Sequence, residues 1–313
     1  WHVSENDGID AVHDWRSGFK LACDLYGDIL LSVLVAVACE AIVNSAIAPH
    51  VPQYLSAQEA RELARTLQAA ETQPDRLTTL VEGELRLALK ELRRLLVDDP
   101  RQARENLRAF HKLETEPLEN GLSPDSDEVQ AARRQWQAVE NRFEYYIRNP
   151  AAYQQLRREA EHRLRRHTTR AFEAFALVGG RFQLREAPPT ETGDPVLDYL
   201  VEYLNPLAMA YPAALRYWEA RTRRRLLALH CRLREYYLRE RRYPDTLQAL
   251  PLGDWAVDPF SGELPIYRRQ GDSYTLYSVG VAGKDLGGYR RKPSDPPDTP
   301  ENLFVIPGVR GSL

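Results

Sequence analysis

Apolar residues recur every three or four positions through most of the first 240 residues, which is the spacing of one face of an α-helix. A capping-box pattern, Ser56 followed three residues later by Glu59, begins one such stripe. Longer stripes begin near Val129 and, after Pro150, near Tyr153. The spacing predicts successive helices, with an antiparallel pair between residues 129 and 175.

Proline, glycine and acidic residues interrupt this pattern at two places. The segment from Glu116 to Asp127 holds two prolines, one glycine and several acids, which predicts an exposed loop. The segment from Gly179 to Pro195 has two adjacent prolines and predicts a linker. We therefore expect an all-helical module at 1–178, a Pro/Gly-rich linker with a short helix at 179–206, and a third part at 207–313.

The hydrophobic period changes from near 3.6 to 2 after Leu250. Before that point, a stripe from Leu215 to Tyr236 predicts a long helix. Beyond it, residues 266–269 and 274–279, with residues 270–273 between them, predict a β-hairpin, and residues 303–306 predict a third short strand. The aromatic residues of the hairpin form an apolar face that must be buried, and the nearest long apolar stripe is that of the predicted helix. The predicted fold class is α+β, mostly α: a multi-helix module followed by a long helix packed on a small three-stranded antiparallel sheet.

The most apolar stretch of the chain runs from Ile29 to Ala48. It contains Glu40 and Asn44, and a charge at the centre of a membrane span costs at least about 2.5 kcal/mol on insertion scales. A helix surrounded by other helices is therefore the preferred interpretation.

Charged residues make up 28% of the chain, and the formal net charge is −3. Runs of arginine at 163–166 and 221–225 lie close to glutamates, so steering of the whole molecule toward nucleic acid is excluded. The second run, beside Tyr217 and Trp218, predicts either a groove for an acidic partner or a solvated helix face. Three scattered cysteines, Cys23, Cys39 and Cys231, form no disulfide framework or zinc motif and are expected to be buried thiols.

No nucleophile motif, metal-binding helix motif or complete phosphate loop occurs in the sequence, so no catalytic residue is predicted. Glu82 and Glu84 lie near an apolar stripe, where a buried carboxylate can act as an acid or base. Pairing with Arg86 is the alternative for these glutamates. His167 lies on an apolar stripe and is expected to be buried and neutral.

A set of turn and aromatic residues marks the last third of the chain. Asp258 and Pro259 set a turn, since Asp accepts backbone N–H bonds and Pro fixes φ, and Gly262 permits a conformation closed to other residues. The full set consists of Tyr243, Pro244, Asp258, Pro259, Phe260, Gly262, Tyr274, Tyr277 and Gly280. We predict that these residues hold the turn and hairpin together.

In this order the motif resembles the C-terminal domain of the major pseudopilin of type II secretion systems, over residues 215–307. The resemblance implies a long helix packed on a small antiparallel sheet. The whole arrangement, with the stretches Gly-Asp-Ile-Leu-Leu at Gly27 and Leu-Ser-Ala-Gln-Glu at Leu55, also resembles uncharacterised helical proteins of planctomycete-type bacteria. That resemblance implies a cell-envelope protein on the extracytoplasmic side, with protein partners there, no nucleic acid, and membrane attachment through a segment upstream of this sequence.

The pseudopilin resemblance also implies a calcium loop after the second strand. Its first acidic position is Ala282 here, and the remaining oxygen donors are Asp285, Glu301 and Asn302. Calcium takes six to eight oxygen ligands with several carboxylates. A loop held by turns and glycines without a cofactor is therefore the preferred interpretation, and a degenerate calcium site is the alternative.

The function predicted from the sequence is a non-catalytic structural or interaction protein of the bacterial cell envelope, related to type II secretion or pilus-like systems. Two alternatives stay open. One is a helical enzyme with a scattered acid–base site. The other is a sensor or adaptor that binds a peptide or lipid, for which an exposed apolar groove between helices would be the distinguishing feature.

Overall fold

A computed structural model describes residues 8–27, 30–71, 77–121, 123, 125–183, 192–204, 207–296 and 299–307. The helices in this part of the chain are α1 Gly8–Asp24, α2 Leu30–Ile47, α3 Val51–Tyr54, α4 Ala57–Glu71, α5 Leu77–Leu95, α6 Pro100–Gly121, α7 Asp127–Arg148, α8 Pro150–Phe175, α9 Pro195–Leu204 and α10 Leu207–Glu240. The strands are β1 Leu177–Val178, β2 Arg181–Phe182, β3 Ile266–Gln270, β4 Ser273–Ser278 and β5 Leu303–Pro307. The α+β class with mostly helical content is confirmed.

Local signals in the sequence explain where several helices begin. The Ser56 backbone N–H donates to Glu59 Oε2 at 2.7 Å, and the Glu59 N–H donates to Ser56 Oγ at 3.3 Å, so the predicted capping box starts α4. Ser126 caps α7 by accepting the Val129 N–H at 3.3 Å. Pro150 is the first residue of α8, where a missing N–H costs nothing.

The loop predicted between Glu116 and Asp127 is shorter than expected. Residues 116–121 continue α6, so the prediction is wrong for this part of the segment. Glu116, Leu118 and Glu119 are strong helix formers, and their propensity prevails over the proline at 117 until Gly121 ends the helix. Helix α5 is described from Leu77 onward, and residues 72–76 lie outside the described residues.

The chain divides into two compact units. The first unit comprises residues 1–77, 174–185 and 212–313, and the second comprises residues 78–173 and 186–211. This division differs from the predicted boundaries at 178 and 206. The reason is the packing of α10, which takes the N-terminal helices as partners and so joins distant parts of the sequence.

Helix α10 occupies the centre of the first unit, with apolar residues on two sides. On one side Leu227, Ala228 and Cys231 pack with the apolar residues of α1, α2 and α4. On the other side Leu226, Leu229 and Leu233 pack with residues of the C-terminal sheet and the turns before it. One helix thus shares its surface between a helical layer and a sheet, which explains why buried apolar residues lie on two of its sides.

Helix α2 is buried on one side only. Glu40 and Asn44 lie in the interior, at 1% and 3% exposure, whereas Leu31 and Ile42 are 67% and 68% exposed. The prediction of a helix surrounded by partners therefore holds for the Glu40 face and is wrong for the opposite face. The stretch Leu31–Tyr54 is also long and apolar enough to cross a membrane by length and composition.

The C-terminal sheet is antiparallel, with strand order β3-β4-β5. The predicted hairpin is confirmed, since β3 and β4 pair with Arg268 opposite Thr275 and turn at Gly271. Strand β5 pairs with the other edge of β4 after a register shift between Leu276 and Ser278. A separate two-stranded ribbon, β1 and β2, is tied to the turn before the sheet by the Phe182 N–H, which donates to the Pro259 carbonyl at 2.6 Å.

The second unit has an apolar core built from helices alone. Its buried residues include Leu92, Leu95, Leu107, Val139, Phe143, Tyr153, Leu164, Val196 and Leu200. Asp194 caps α9 by accepting the Val196 and Leu197 N–H groups at 3.1 and 3.2 Å. Its other oxygen accepts Arg142 Nε at 2.8 Å and the Tyr146 hydroxyl at 2.5 Å, which ties α9 to α7.

Candidate functional site

The loop between β4 and β5 contains the predicted calcium ligands, and Asp285 is used there as a hydrogen-bond acceptor. Asp285 Oδ1 accepts the Tyr277 hydroxyl and the Gly287 N–H, both at 2.7 Å. Its other oxygen pairs with the Arg268 guanidinium. The Tyr277 hydroxyl and the Gly287 N–H hold the pKa of this carboxyl below its usual range. Both carboxylate oxygens of Asp285 therefore accept from donors of this chain.

Asn302 is the centre of the same loop and is only 1% exposed. Its Oδ1 accepts the Leu286 and Gly288 N–H groups at 2.9 and 3.0 Å. Its Nδ2 donates to the Val279 carbonyl at 3.3 Å and the Lys284 carbonyl at 3.0 Å. One side chain thus connects four backbone positions, and it requires an amide because both donor and acceptor are used.

These contacts do not fit a calcium ion. Glu301, the third predicted ligand, accepts the Arg291 N–H at 3.1 Å, and the Arg268 guanidinium stands beside Asp285 where a cation would bind. Within the described ranges, no group of three His, Cys, Asp or Glu residues is arranged to hold a metal ion. The loop is therefore tied by the Asn302 side chain and not by turns and glycines alone.

Asp258 fixes the turn that precedes the sheet and is 1% exposed. Its Oδ1 accepts the Phe260 N–H at 3.0 Å, while its carbonyl accepts the Gly262 N–H at 2.8 Å. Its Oδ2 reaches the Val279 N–H at 3.1 Å, at the end of β4. Burial raises the pKa of Asp258 although the backbone N–H donors oppose the shift. The Asp258 side chain therefore connects the turn with the end of β4.

Two glycines of the motif have positive φ and close neighbours. Gly262 has φ of 75°, and a Cβ there would lie 2.9 Å from Arg181 Cγ. Gly280 has φ of 59°, and a Cβ there would lie 3.1 Å from the Leu303 side chain. Both positions therefore require glycine for conformation and for space.

The aromatic residues of the motif pack between α10 and the sheet. Tyr243 and Tyr274 meet edge to face with ring centroids 4.6 Å apart, and both are buried. Phe260 meets Phe182 edge to face at 5.7 Å. The Pro244 carbonyl accepts the Tyr267 hydroxyl at 2.7 Å, which fixes the chain leaving α10 against β3.

His230 on α10 links the sheet to the N-terminal helices. Its Nε2 is 3.0 Å from the Ala48 carbonyl, which can only accept, so Nε2 carries the proton and Nδ1 accepts from the Tyr274 hydroxyl. Burial lowers the pKa of His230 to about 4, with a further contribution from Arg234. The ring is therefore neutral at pH 7 and acts as a connector.

A buried ion cluster, Glu40, Glu71, Arg221, Arg224 and Arg225, is the feature of the first unit that sequence reasoning missed. Arg224 forms a bidentate pair with Glu40 at 2.8 and 2.7 Å and also reaches Glu71 at 3.1 Å. The side chains of Arg224, Glu40 and Glu71 are 8%, 1% and 2% exposed. Such burial is sustained only where every charge is paired and hydrogen-bonded.

Glu71 is the acceptor shared by all three arginines of the buried ion cluster. Arg225 Nε donates to Glu71 Oε2 at 2.7 Å, and Arg221 Nε donates to the same oxygen at 3.1 Å. Burial by itself would raise the pKa of Glu71, but the three guanidinium groups outweigh it and lower the pKa. The carboxylate is therefore ionised and held by its partners.

Further polar residues close the cluster around Glu40. Asn44 donates to Glu40 at 3.3 Å and accepts from Trp15 Nε1 at 3.0 Å, and the Tyr26 hydroxyl donates to Glu40 at 3.3 Å. Burial and the neighbouring Glu40 raise the pKa of Tyr26. With these partners, both oxygens of Glu40 are used.

The arginine run at 221–225 therefore has a different role from the two that were predicted. It is neither a solvated helix face nor a groove for an acidic partner, because three of its arginines are directed into the buried ion cluster. No local pattern reveals the pairing, since Glu40 and Glu71 are 184 and 153 residues from Arg224 in the sequence. The charges of the cluster are paired with one another, and Asn44 and Tyr26 supply further hydrogen bonds to Glu40.

The two glutamates considered for acid–base chemistry lie on α5, away from any comparable cluster. Glu82 is exposed and lines a surface cavity, and Glu84 is half-buried. His167 is 5% exposed, so its predicted burial is confirmed. The structure does not bring these three residues together as a site.

A surface groove runs between α5 and α8 in the second unit, and we name it the basic groove. One cavity of about 530 Å³ is lined by Glu82, Leu85, Arg86, Leu89, Lys90, Arg93 and Arg165. A second, of about 290 Å³, is lined by Leu92, Arg93, Leu96, Gln154, Arg157, Arg158 and Glu161. Arg93 lines both cavities, so they are neighbours along α5, and both have leucines and charged residues in their lining.

No protein-family model matches the chain, and neither the curated proteins nor the solved structures contain a match to it.

Proposed function

We propose that this chain is a non-catalytic structural or interaction protein of the bacterial cell envelope, located on the extracytoplasmic side of the membrane. The proposal that the chain is non-catalytic rests on the hydrogen bonding of its buried carboxylates. In the described residues, the buried carboxylates Glu40, Glu71, Glu219 and Asp258 all accept hydrogen bonds from this chain. A general acid or base needs access to a substrate proton, which such saturated groups lack.

The pseudopilin-like character of the C-terminal part belongs to the same proposal. It is supported by the motif resemblance and by the way α10, the Asp258 turn and the hairpin pack as one cluster. The link to type II secretion or pilus-like systems, the envelope localisation and protein partners there rest on that resemblance alone. Calcium is not part of the proposal, since Asp285 and Asn302 are hydrogen-bonded within the loop.

A peptide-binding adaptor is the second candidate, and the basic groove favours it. An exposed groove between helices, with leucines at its base, is the feature that separates an adaptor from a purely structural protein. The two candidates are compatible, because an adaptor is also an interaction protein. The helical enzyme is the weaker alternative, because the structure does not bring Glu82, Glu84 and His167 together as a site.

Localisation tests the envelope part. The complete gene is expressed in its source bacterium, and protease is added to intact cells whose outer layer has been permeabilised. Cleavage of this domain, with the protein in the membrane fraction, is the expected result. Full protection in a soluble fraction would contradict the envelope proposal and would leave the C-terminal resemblance informative about fold alone.

A further inference from the structure

We propose that the basic groove binds an acidic amphipathic helix of a partner protein. This inference rests on the proposed interaction role and adds the surface and the chemical class of the partner. The groove lies within the second unit, which contributes every residue that lines it.

The shape of the groove fits a helix. The lining residues of α5 recur every three or four positions from Glu82 to Arg93, so they form one face of that helix, and Leu96 follows directly after its end. Arg93 pairs with Glu161, and Arg157 pairs with Asp98, so α5 and α8 run antiparallel along the groove. The face from residue 82 to residue 96 is about 21 Å long, which corresponds to a helix of about 14 residues.

The base of the groove is apolar. Leu85 and Leu89 lie beneath the first cavity, and Leu92 and Leu96 lie beneath the second. Leu85 is half-buried and Leu89 is 7% exposed, so the leucines leave a shallow apolar surface under charged side chains. An apolar helix face docks on such a base, and the concave shape disfavours a flat lipid surface.

The rim decides the charge of the partner. Six cationic side chains line the two cavities, Arg86, Lys90, Arg93, Arg157, Arg158 and Arg165, against two acidic ones, Glu82 and Glu161. Glu161 is already paired with Arg93 at 3.3 Å and Arg165 at 2.8 Å. The Arg93 and Arg165 side chains remain 64% and 53% exposed. The excess positive charge on accessible guanidinium groups favours carboxylates, which arginine binds in a bidentate manner.

The test uses the full chain and a synthetic probe. The probe is a fluorescein-labelled peptide of about 14 residues with leucine on one helical face and glutamate and alanine on the other. Binding is measured by fluorescence anisotropy at low and at physiological salt. Two comparison peptides carry lysine in place of glutamate, or the same composition in an order that removes the apolar face.

The variant pair is matched in charge. Lys90→Glu with Arg158→Glu reverses two exposed rim positions, and Lys112→Glu with Arg134→Glu makes the same change on exposed positions of α6 and α7. We expect the groove variant to bind the acidic peptide at least about tenfold more weakly and the control variant to stay within about twofold of the unchanged chain. Circular dichroism verifies that both variants fold.

Three results would overturn the proposal. The first is an equal loss of affinity in both variants and the second is equal binding of the scrambled peptide, because either would mean attraction by overall charge. The third is absence of peptide binding, with binding of the chain instead to vesicles of phosphatidylglycerol and phosphatidylcholine that is lost in the groove variant. Peptide binding by the purified chain does not depend on where the protein is located in the cell. A negative binding result would therefore overturn the groove proposal without contradicting the envelope proposal, which the protease experiment tests.

Discussion

Two arginine-rich helices, α10 in the first unit and α8 in the second, use the same side chain in opposite ways. Arg221, Arg224 and Arg225 of α10 are directed inward and meet buried glutamates. Arg163 and Arg165 of α8 pair with glutamates one turn earlier on their own helix and stay near the surface. The positions of the acidic partners, and not the number of arginines, decide whether a helix holds the fold or presents a charged face.

The energetic weight of the two arrangements also differs. A buried pair loses most of its solvation, so removing one member leaves an uncompensated charge in the interior. An exposed pair one helical turn apart contributes only a few tenths of a kcal/mol. The variants below test this difference, beginning with the largest expected effect.

Glu40→Ala leaves the Arg224 guanidinium buried beside Glu71 alone. We expect the free energy of unfolding of the first unit to fall by about 4 kcal/mol, measured by urea denaturation followed by tryptophan fluorescence and circular dichroism. Replacing Glu40 and Arg224 together by leucine and methionine should recover most of that loss, because Glu71 keeps Arg221 and Arg225 as partners and no charge of the pair is left unpaired. A loss below about 1 kcal/mol for Glu40→Ala would contradict the burial of the pair.

His230 gives the first unit a pH dependence. Its pKa is lowered to about 4 in the folded protein from 6.5, so the unfolded chain binds a proton that the folded one does not. The contribution of His230 to the free energy of unfolding is therefore fully present above pH 6.5. It falls by about 1.4 kcal/mol per pH unit as the pH decreases from 6.5 toward 4. Urea denaturation at half-unit steps measures the slope. His230→Gln should reduce it between pH 6.5 and 5, and an unchanged slope there would contradict a buried neutral ring.

Asn302→Ala removes the side chain that ties four backbone positions of the loop after β4. We expect a loss of about 2 kcal/mol, because the freed N–H groups of Leu286 and Gly288 lose a buried acceptor. Hydrogen exchange at these two amides measures the effect locally. The neighbouring Glu301→Ala should leave both amides protected. Adding calcium or a chelator to the unchanged chain should not shift the melting temperature, and a calcium-dependent increase would contradict the hydrogen-bonded loop.

Glu161→Ala is the smallest change and the counterpart of Glu40→Ala. Its carboxylate pairs with Arg165 and Arg93, which lower its pKa, but the side chain is 36% exposed and solvent screens the interaction. We expect a change below about 0.5 kcal/mol in the free energy of unfolding. A loss comparable to that of Glu40→Ala would remove the distinction between the two helices.

Local signals predicted much of the fold. The Ser56 capping box, the stripes on α7 and α8, and the hairpin turn at Gly271 each depend on residues close in sequence, and these elements are confirmed. The loop at 116–127 was overestimated because helix propensity prevailed over one proline. The unit boundaries could not be predicted, because they follow from packing between α10 and helices that lie about 150 residues earlier.

The candidate sites were less predictable than the fold. Asp258 and Gly262 were identified from turn chemistry, which is local. The buried ion cluster and the role of Asn302 depend on pairs far apart in the sequence, for which a single sequence carries no signal. One signal for the buried ion cluster is present in the sequence, because Glu40 interrupts the most apolar stretch of the chain. A glutamate buried in such a helix requires a cationic partner. The basic groove likewise becomes visible only when α5 and α8 are brought together.

The most direct test of the contrast between the two helices measures Arg224→Met and Arg158→Glu in both assays. We expect Arg224→Met to lose about 3 kcal/mol or more of unfolding free energy and to keep its affinity for the acidic peptide while folded. We expect Arg158→Glu to unfold within about 1 kcal/mol of the unchanged chain and to bind the peptide several-fold more weakly. An Arg224→Met variant that is as stable as the unchanged chain would contradict the role of α10 in holding the fold. An Arg158→Glu variant that is destabilised but binds the peptide with unchanged affinity would contradict the role of α8 in binding a partner.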